Sequence, residues 1–334
     1  MAILELQNVG IDYRTDGGIV RAVDRGTLEV PRGEVVGLVG ESGCGKTTLA
    51  RAITGVMARN AAISRGQIVF EGKDLIQAGP KARRDLLWRE ISFIPQSAMN
   101  ALDPVYRVSS QLAEVLADRG GYKRSAIAER TDALFRMVGL DPQRKHDYPH
   151  QFSGGMRQRV GIALALALDP KLVIADEPVT ALDVIVQRQV LDTLRDLQKR
   201  LGLSVILVTH DISVVAYTCD RIVVMYAGQV IESGPVAEVL ERPFHPYTMG
   251  LTNAFPDLAR ARDQLVPIPG APPDLGAPLS GCRFAERCPF AEERCRASDP
   301  PLVDVAASHR ASCWRSDVAD TLRNKAREPA TWLH

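Results

Sequence analysis

An α/β fold built round a mainly parallel sheet is predicted for residues 1 to about 240, and three observations carry the prediction. Short apolar runs bounded by Gly, Pro or charge recur at 35–39, 91–94, 172–175 and 205–208, as buried strands do. Helical patterns follow several of them, the order that crossover helices on a parallel sheet require. Beyond about residue 240 the composition turns rich in Pro and then in Cys, which marks a second, smaller region at 241–334.

Composition bounds the rest. A chain of 334 residues has length for about two domains. Hydrophobic residues at 46% and charged residues at 24% are ordinary for a globular protein and argue against disorder, collagen or a coiled-coil rod. The formal net charge of +1 removes bulk electrostatics as a reason to bind nucleic acid, and no nucleic-acid partner is expected. The longest apolar run, 160–168, is cut by Asp169, Pro170 and Lys171, well short of the roughly 18 residues that span a bilayer. No secretory signal is visible at the N-terminus, so a cytoplasmic chain with reduced thiols is expected.

The elements follow in order. The hydrophobic run at 35–39 leads into Gly40-Glu41-Ser42-Gly43-Cys44-Gly45-Lys46-Thr47 and then a helix that opens on Thr48. Strand, glycine-rich turn and helix together make GxxxxGK[ST] a phosphate cradle: curled backbone N–H groups and the helix N-terminus face the anion, Lys46 reaches the β- and γ-phosphates, and Thr47 ligates Mg²⁺. Cys44, at a helix N-terminus, is expected to have a lowered pKa, so that its alkylation blocks hydrolysis unless bound nucleotide protects it. Residues 97 to about 168 read as a helical subdomain with breaks near Gly120-Gly121 and Asp141-Pro142. The run KLVIADEP then sets Asp176 and Glu177 at a strand end, where one carboxylate holds the Mg²⁺ shell and the other deprotonates the attacking water. A further strand delivers His210 to the same edge. The QVIESG stretch closes a hairpin, and the proline-rich segment between Pro243 and Pro301 should be neither regular helix nor central strand.

The run PHQFSGGMRQRV resembles the signature motif of ATP-binding cassette (ABC) ATPases, with Phe152-Ser153-Gly154-Gly155-Met156 in place of the commoner LSGGQ. The resemblance implies a P-loop NTPase of ABC type with an antiparallel N-terminal subdomain. It implies that Ser153, Gly154, Gly155 and Met156 complete the nucleotide site of a partner subunit. It further implies that Tyr13 stacks on adenine, that Gln96 senses Mg²⁺ and the γ-phosphate, and that Asp183 crosses the dimer interface. Val179 stands where Thr is common, with no clear catalytic consequence.

The segments QSAMNALDPV, YPHQFSGGMRQRV, ADEPVTALDV, RIVVMYAGQVIESG and HPYT, with the tail, are similar to the peptide/nickel importer branch of that family. The resemblance implies an ATPase subunit that energises import of peptides or a related solute (oligosaccharide, nickel chelate, opine). It implies a second, different ATPase chain, two transmembrane permease subunits, an extracytoplasmic solute-binding protein, and a peripheral place on the cytoplasmic face of the membrane. A soluble ABC ATPase acting on nucleic acid or as a regulator, with a zinc-binding tail, is the alternative.

In the tail, Cys282, Cys288, Cys295 and Cys313 are four thiols in a short stretch, enough for tetrahedral Zn²⁺ or a 4Fe-4S cluster. No tight CxxC knuckle of the kind zinc favours is present, and wider spacing suits a larger cluster; unligated thiols are the third possibility. The resemblance implies the 4Fe-4S cluster. Arg283, Arg287, Arg294 and Arg296 are expected to offset its thiolate charge.

Overall fold

The computed structural model describes residues 1–96, 101–253 and 267–332. Residues 97–100, just after Gln96, and Pro256 of the proline-rich stretch lie outside the described residues. The chain opens with β1 (Ala2–Thr15), β2 (Gly18–Pro31), β3 (Val35–Val39), α1 (Lys46–Thr54), β4 (Ala61–Phe70), β5 (Lys73–Asp74), α2 (Gly79–Leu86) and β6 (Ile91–Ile94). A helical stretch follows: α3 (Val108–Glu114), α4 (Arg124–Met137) and α5 (Gly154–Ala165). Strand and helix then alternate through β7 (Leu172–Asp176), α6 (Val184–Leu201), β8 (Ser204–Thr209), α7 (Ile212–Thr218), β9 (Arg221–Tyr226) and β10 (Gln229–Pro235). The C-terminal part carries α8 (Val236–Glu241), α9 (Pro246–Asn253), α10 (Glu293–Ala297), β11 (Val303–Ala306), β12 (His309–Ala311) and α11 (Ala319–Ala326).

The main sheet has the order β11-β12-β10-β9-β3-β8-β7-β6, parallel from β9 to β6. Every residue of β3, β7 and β8 is buried, as expected where helices cover both faces of a parallel sheet. A second, antiparallel sheet, β2-β1-β4-β5, forms the N-terminal subdomain. The predicted breaks in the helical stretch fall where chain chemistry puts them: Gly121 takes a left-handed φ of 67°, and Asp141 caps a 3-10 turn that starts at Pro142.

The tail departs from expectation. Pro246 opens α9, because the first position of a helix needs no N–H. Strand β12 pairs with β10, Glu232 opposite Ala311, so the proline-rich and cysteine-rich segment extends the main sheet. One apolar cluster containing Tyr226, Tyr247, Phe284, Phe290 and Trp332 ties it to the sheet edge. Tyr226, Tyr247 and Phe284 pack with centroids 4.7–5.5 Å apart. Burying each such ring contributes about 1.5–3 kcal/mol, which compensates for the sparse regular hydrogen bonding of the segment.

Candidate active site

The turn between β3 and α1 is shaped by close backbone contacts. A Cβ on Gly40 would lie 2.1 Å from the Met225 carbonyl oxygen, and one on Gly45, at φ 100°, would lie 2.5 Å from that of Ala22. Neither position admits a larger residue. Lys46 is 5% exposed, and its Nζ donates to the carbonyl oxygens of Gly40 (2.7 Å) and Glu41 (2.9 Å), curling the loop over its own ammonium. The result is a concave loop with a buried cation beside a helix N-terminus, the chemistry that holds a polyphosphate. Ser42 and Gly43 lie exposed at the tip of this loop.

Across from it, β7 ends at Asp176, which is fully buried. The Thr47 hydroxyl donates to Asp176 Oδ1 (3.0 Å), while Oδ2 has no partner among the described residues. Burial pushes the Asp176 carboxyl above the usual range despite the Thr47 hydrogen bond. A buried carboxylate oxygen without a partner, next to a hydroxyl, fits a divalent cation.

Glu177, one residue on, adopts a left-handed φ of 47°, which turns its carboxylate out of the strand. Oε2 accepts from Gln96 Nε2 (2.8 Å) and from the Thr180 hydroxyl (3.0 Å), and Oε1 lies 3.1 Å from His210 Nδ1. Burial would raise its pKa, but the hydrogen bonds from His210 and Thr180 outweigh that and hold it below the usual carboxylate range. Glu177 is therefore ionised at neutral pH and aimed by three side chains. Thr180 was not anticipated; its place three residues after Glu177, in the same tight turn, was the available signal.

Tyr13 on β1 places its hydroxyl 3.3 Å from Thr48 Oγ1, at the flank of the loop. Ser153 is the N-cap of α5, its Oγ accepting from the Met156 N–H (3.3 Å). A Cβ on Gly155 would fall 2.3 Å from Val186 Cγ1, so that glycine also lets α5 approach α6. Asp183 caps α6 through the Val186 N–H (3.0 Å). Among the described residues no hydrogen bond joins 153–156 to 40–48. The structure thus brings Tyr13, residues 40–48, Gln96, Asp176, Glu177 and His210 to one edge, and leaves 153–156 and Asp183 apart from it, with Ser153 and Asp183 exposed.

Two expectations need correction. Cys44 is 3% exposed, and burial pushes its thiol up even with Lys46 alongside, so it is not an activated thiolate. Arg283, Arg287, Arg294 and Arg296 are engaged away from the thiols, whereas the Arg315 backbone N–H donates to Cys313 Sγ (3.4 Å). Arg283 pairs with Asp24 (2.6 Å), Arg287 with Glu41 (2.9 Å) and Arg296 with Glu286 (3.6 Å), and Arg294 lies over the Trp314 ring at 3.7 Å. Cys282, Cys288, Cys295 and Cys313 line one cavity together with His245, Phe284, Phe290 and Trp314. Burial raises the thiols of Cys282 to about 11 and of Cys288 and Cys313 to about 12. Among the described residues no three His, Cys, Asp or Glu side chains form a set that could hold a metal ion, so neither the 4Fe-4S nor the zinc expectation finds a ready-made ligand set. The four cysteines round one cavity supply the number of thiol donors that either group would need.

Residues 23–180 match the ABC transporter family, and 231–295 match the oligopeptide/dipeptide transporter C-terminal region. The chain is 42% identical, over 94% of its length and 95% of the relative's, to a probable peptide ABC transporter ATP-binding protein of Sinorhizobium fredii. It is 42% identical to the oligopeptide transport ATP-binding protein OppD of Bacillus subtilis, covering 93% of this chain and 88% of that one. To the dipeptide transport ATP-binding protein DppD of Escherichia coli it is 40% identical, over 94% and 96%. Among solved structures it is similar to a dimeric post-hydrolysis ATP-binding cassette bound to ADP and Pi, with TM-score 0.62, 26% identity, and 70% of this chain and 98% of that one covered. These relatives are transport proteins and leave the nucleic-acid alternative without support. Among the described residues no helix is long and apolar enough to cross a membrane.

Proposed function

The chain belongs to the ATP-binding subunits of ABC transporters, and on that premise we propose that its ATP hydrolysis drives import of peptides or a related solute through a binding-protein-dependent transporter. The observation that carries the reading is the carboxylate of Glu177, ionised and held by Gln96, Thr180 and His210 beside the Lys46 loop. The printed names of the relatives favour peptides as the solute class.

In this reading the backbone of 40–47 and Lys46 bind the β- and γ-phosphates, Tyr13 stacks on the base, and Thr48 lies beside it. Thr47 and Asp176, with Gln96 adjacent, would hold Mg²⁺, which supplies charge neutralisation at the phosphates when bound. Glu177 accepts a proton from the water that attacks the γ-phosphorus; the bond to the ADP oxygen breaks and phosphate leaves. His210 orients Glu177 and the γ-phosphate. Ser153, Gly154, Gly155 and Met156 serve the nucleotide of a second ATPase chain, across an interface that Asp183 also joins; the exposure of Ser153 and Asp183 supports this, as does the dimeric cassette among the structural relatives. We propose that the partner is a different chain, that two permease subunits and a solute-binding protein complete the assembly, and that the subunit sits on the cytoplasmic face. For the tail, the shared cavity of Cys282, Cys288, Cys295 and Cys313 supports a 4Fe-4S cluster as a staple for residues 241–334.

Glu177→Gln in the assembled transporter tests the core of this reading. ATP binding should persist while turnover falls by roughly 10²–10⁴-fold; a variant that still hydrolyses at the full rate would remove Glu177 from the reaction.

A further inference from the structure

The cysteine tail grips the nucleotide loop directly. Glu41, the second residue of that loop, donates its backbone N–H to the Tyr247 hydroxyl (3.1 Å) on α9, and its carboxylate accepts from Arg287 Nη1 (2.9 Å). The Arg287 side chain is only 7% exposed, and its remaining donors reach the Tyr226 hydroxyl (3.2 Å) and the carbonyl oxygens of Pro269 (2.8 Å) and Ile268 (3.2 Å). The same Glu41 presents its carbonyl to Lys46 Nζ (2.9 Å), so one residue links the tail to the phosphate-binding ammonium. A second strut runs in parallel. Arg283 donates to Asp24 (2.6 Å) on β2 and to the Ala227 carbonyl, and the adjoining Gly228 N–H holds the carbonyl of Cys44 (2.9 Å) inside the loop. Arg283 follows Cys282 and Arg287 precedes Cys288, so each strut is one residue from a thiol.

We infer that Arg287 is a positioning residue for the phosphate loop, through which the folded cysteine tail sets nucleotide affinity. The inference rests on 40–47 being the nucleotide site. An ion pair of this kind, with Arg287 buried and Glu41 half-buried, is a coupling between two regions, with each end able to weaken the other. Release of Arg287 frees the Glu41 carboxylate and loosens the peptide that Lys46 holds. The chemistry itself, at Glu177, is left in place.

The test measures Mg-ATP binding to the full-length chain with a fluorescent ATP analogue, and KM and kcat for ATP in the assembled transporter. Arg287→Gln should weaken binding and raise KM by roughly fivefold or more, with kcat nearly unchanged. Glu41→Ala should weaken binding to a similar extent by removing the other end of the pair, the double variant should be no weaker than the weaker single, and Arg287→Lys should recover part of the loss. Arg294→Gln perturbs the same module at Trp314 but reaches no part of the loop, and should leave binding as in the wild type. Wild-type affinity in Arg287→Gln or, if that variant does not fold, in Glu41→Ala overturns the inference, as does full additivity of the two. Equal damage from Arg294→Gln would also overturn it, since the tail would then act only by its general stability. A wild-type chain that binds no nucleotide overturns the reading of 40–47 as the nucleotide site, and this inference with it.

Discussion

The phosphate loop and the cysteine tail touch at Glu41, yet they are built by opposite means. The loop is made of backbone: Gly40 lies against the Met225 carbonyl, Gly45 against that of Ala22, and Cys44 is tied through its carbonyl to Gly228. The tail has short strands and turns, and is held by side chains, aromatic rings packed on Tyr226 and long arginines reaching back to the sheet. The loop should therefore fail when a side chain is added, and the tail when one is removed.

The largest effect that would break this contrast is in the tail. Phe284 is 1% exposed and stands edge-on to both Tyr226 and Tyr247. Phe284→Ala should cost about 3–5 kcal/mol, read as a lower denaturation midpoint and faster proteolysis of 267–332; unchanged melting would mean that the rings are not what holds the tail. On the loop side, Gly45→Ala puts a methyl against a backbone oxygen at φ 100°. The strain is about 1–3 kcal/mol, and it should appear as lost nucleotide affinity with the melting of the tail little altered.

A smaller, graded effect separates the two regions by pH. His245 is buried, its Nδ1 accepts the Tyr247 N–H (3.0 Å), and burial depresses its pKa from 6.5 to about 3. The unfolded chain then binds the extra proton first, so His245 leaves stability intact above pH 6.5 and removes it as pH falls, by at most about 1.4 kcal/mol per pH unit. Denaturant titrations from pH 7 to 5 should show that slope in the wild type and lose part of it in His245→Asn; identical slopes would refute it. The mildest outcome is expected at Cys44. Its buried thiol should react slowly with alkylating reagents in the native chain and at full speed once unfolded, with or without ATP; rapid native labelling would restore the view of Cys44 as an activated thiolate.

Much of the candidate site was legible because it is local. The glycine run after 35–39, the carboxylates after 172–175 and the Ser153 cap each act within a few residues of chain, through turn geometry, strand ends and helix termini. Thr180 escaped notice because a hydroxyl in a turn has no pattern of its own. The Cys44 thiol departs from the expectation because a helix N-terminus favours a thiolate only where water or charge reaches it, and burial outweighs that effect here.

From residues alone came the positions of the buried strands, the glycine-rich turn after β3, the acidic pair at the end of β7, the helix start at Ser153 and the family, all but the last consequences of short-range chain chemistry. Tertiary structure alone decided that the tail would extend the main sheet, that Arg283, Arg287, Arg294 and Arg296 would find partners other than the thiols, and that Arg287 would meet Glu41 across 246 positions. Such a contact depends on how a whole segment docks, and docking is chosen by the summed burial of many apolar surfaces, which no local pattern of residues encodes.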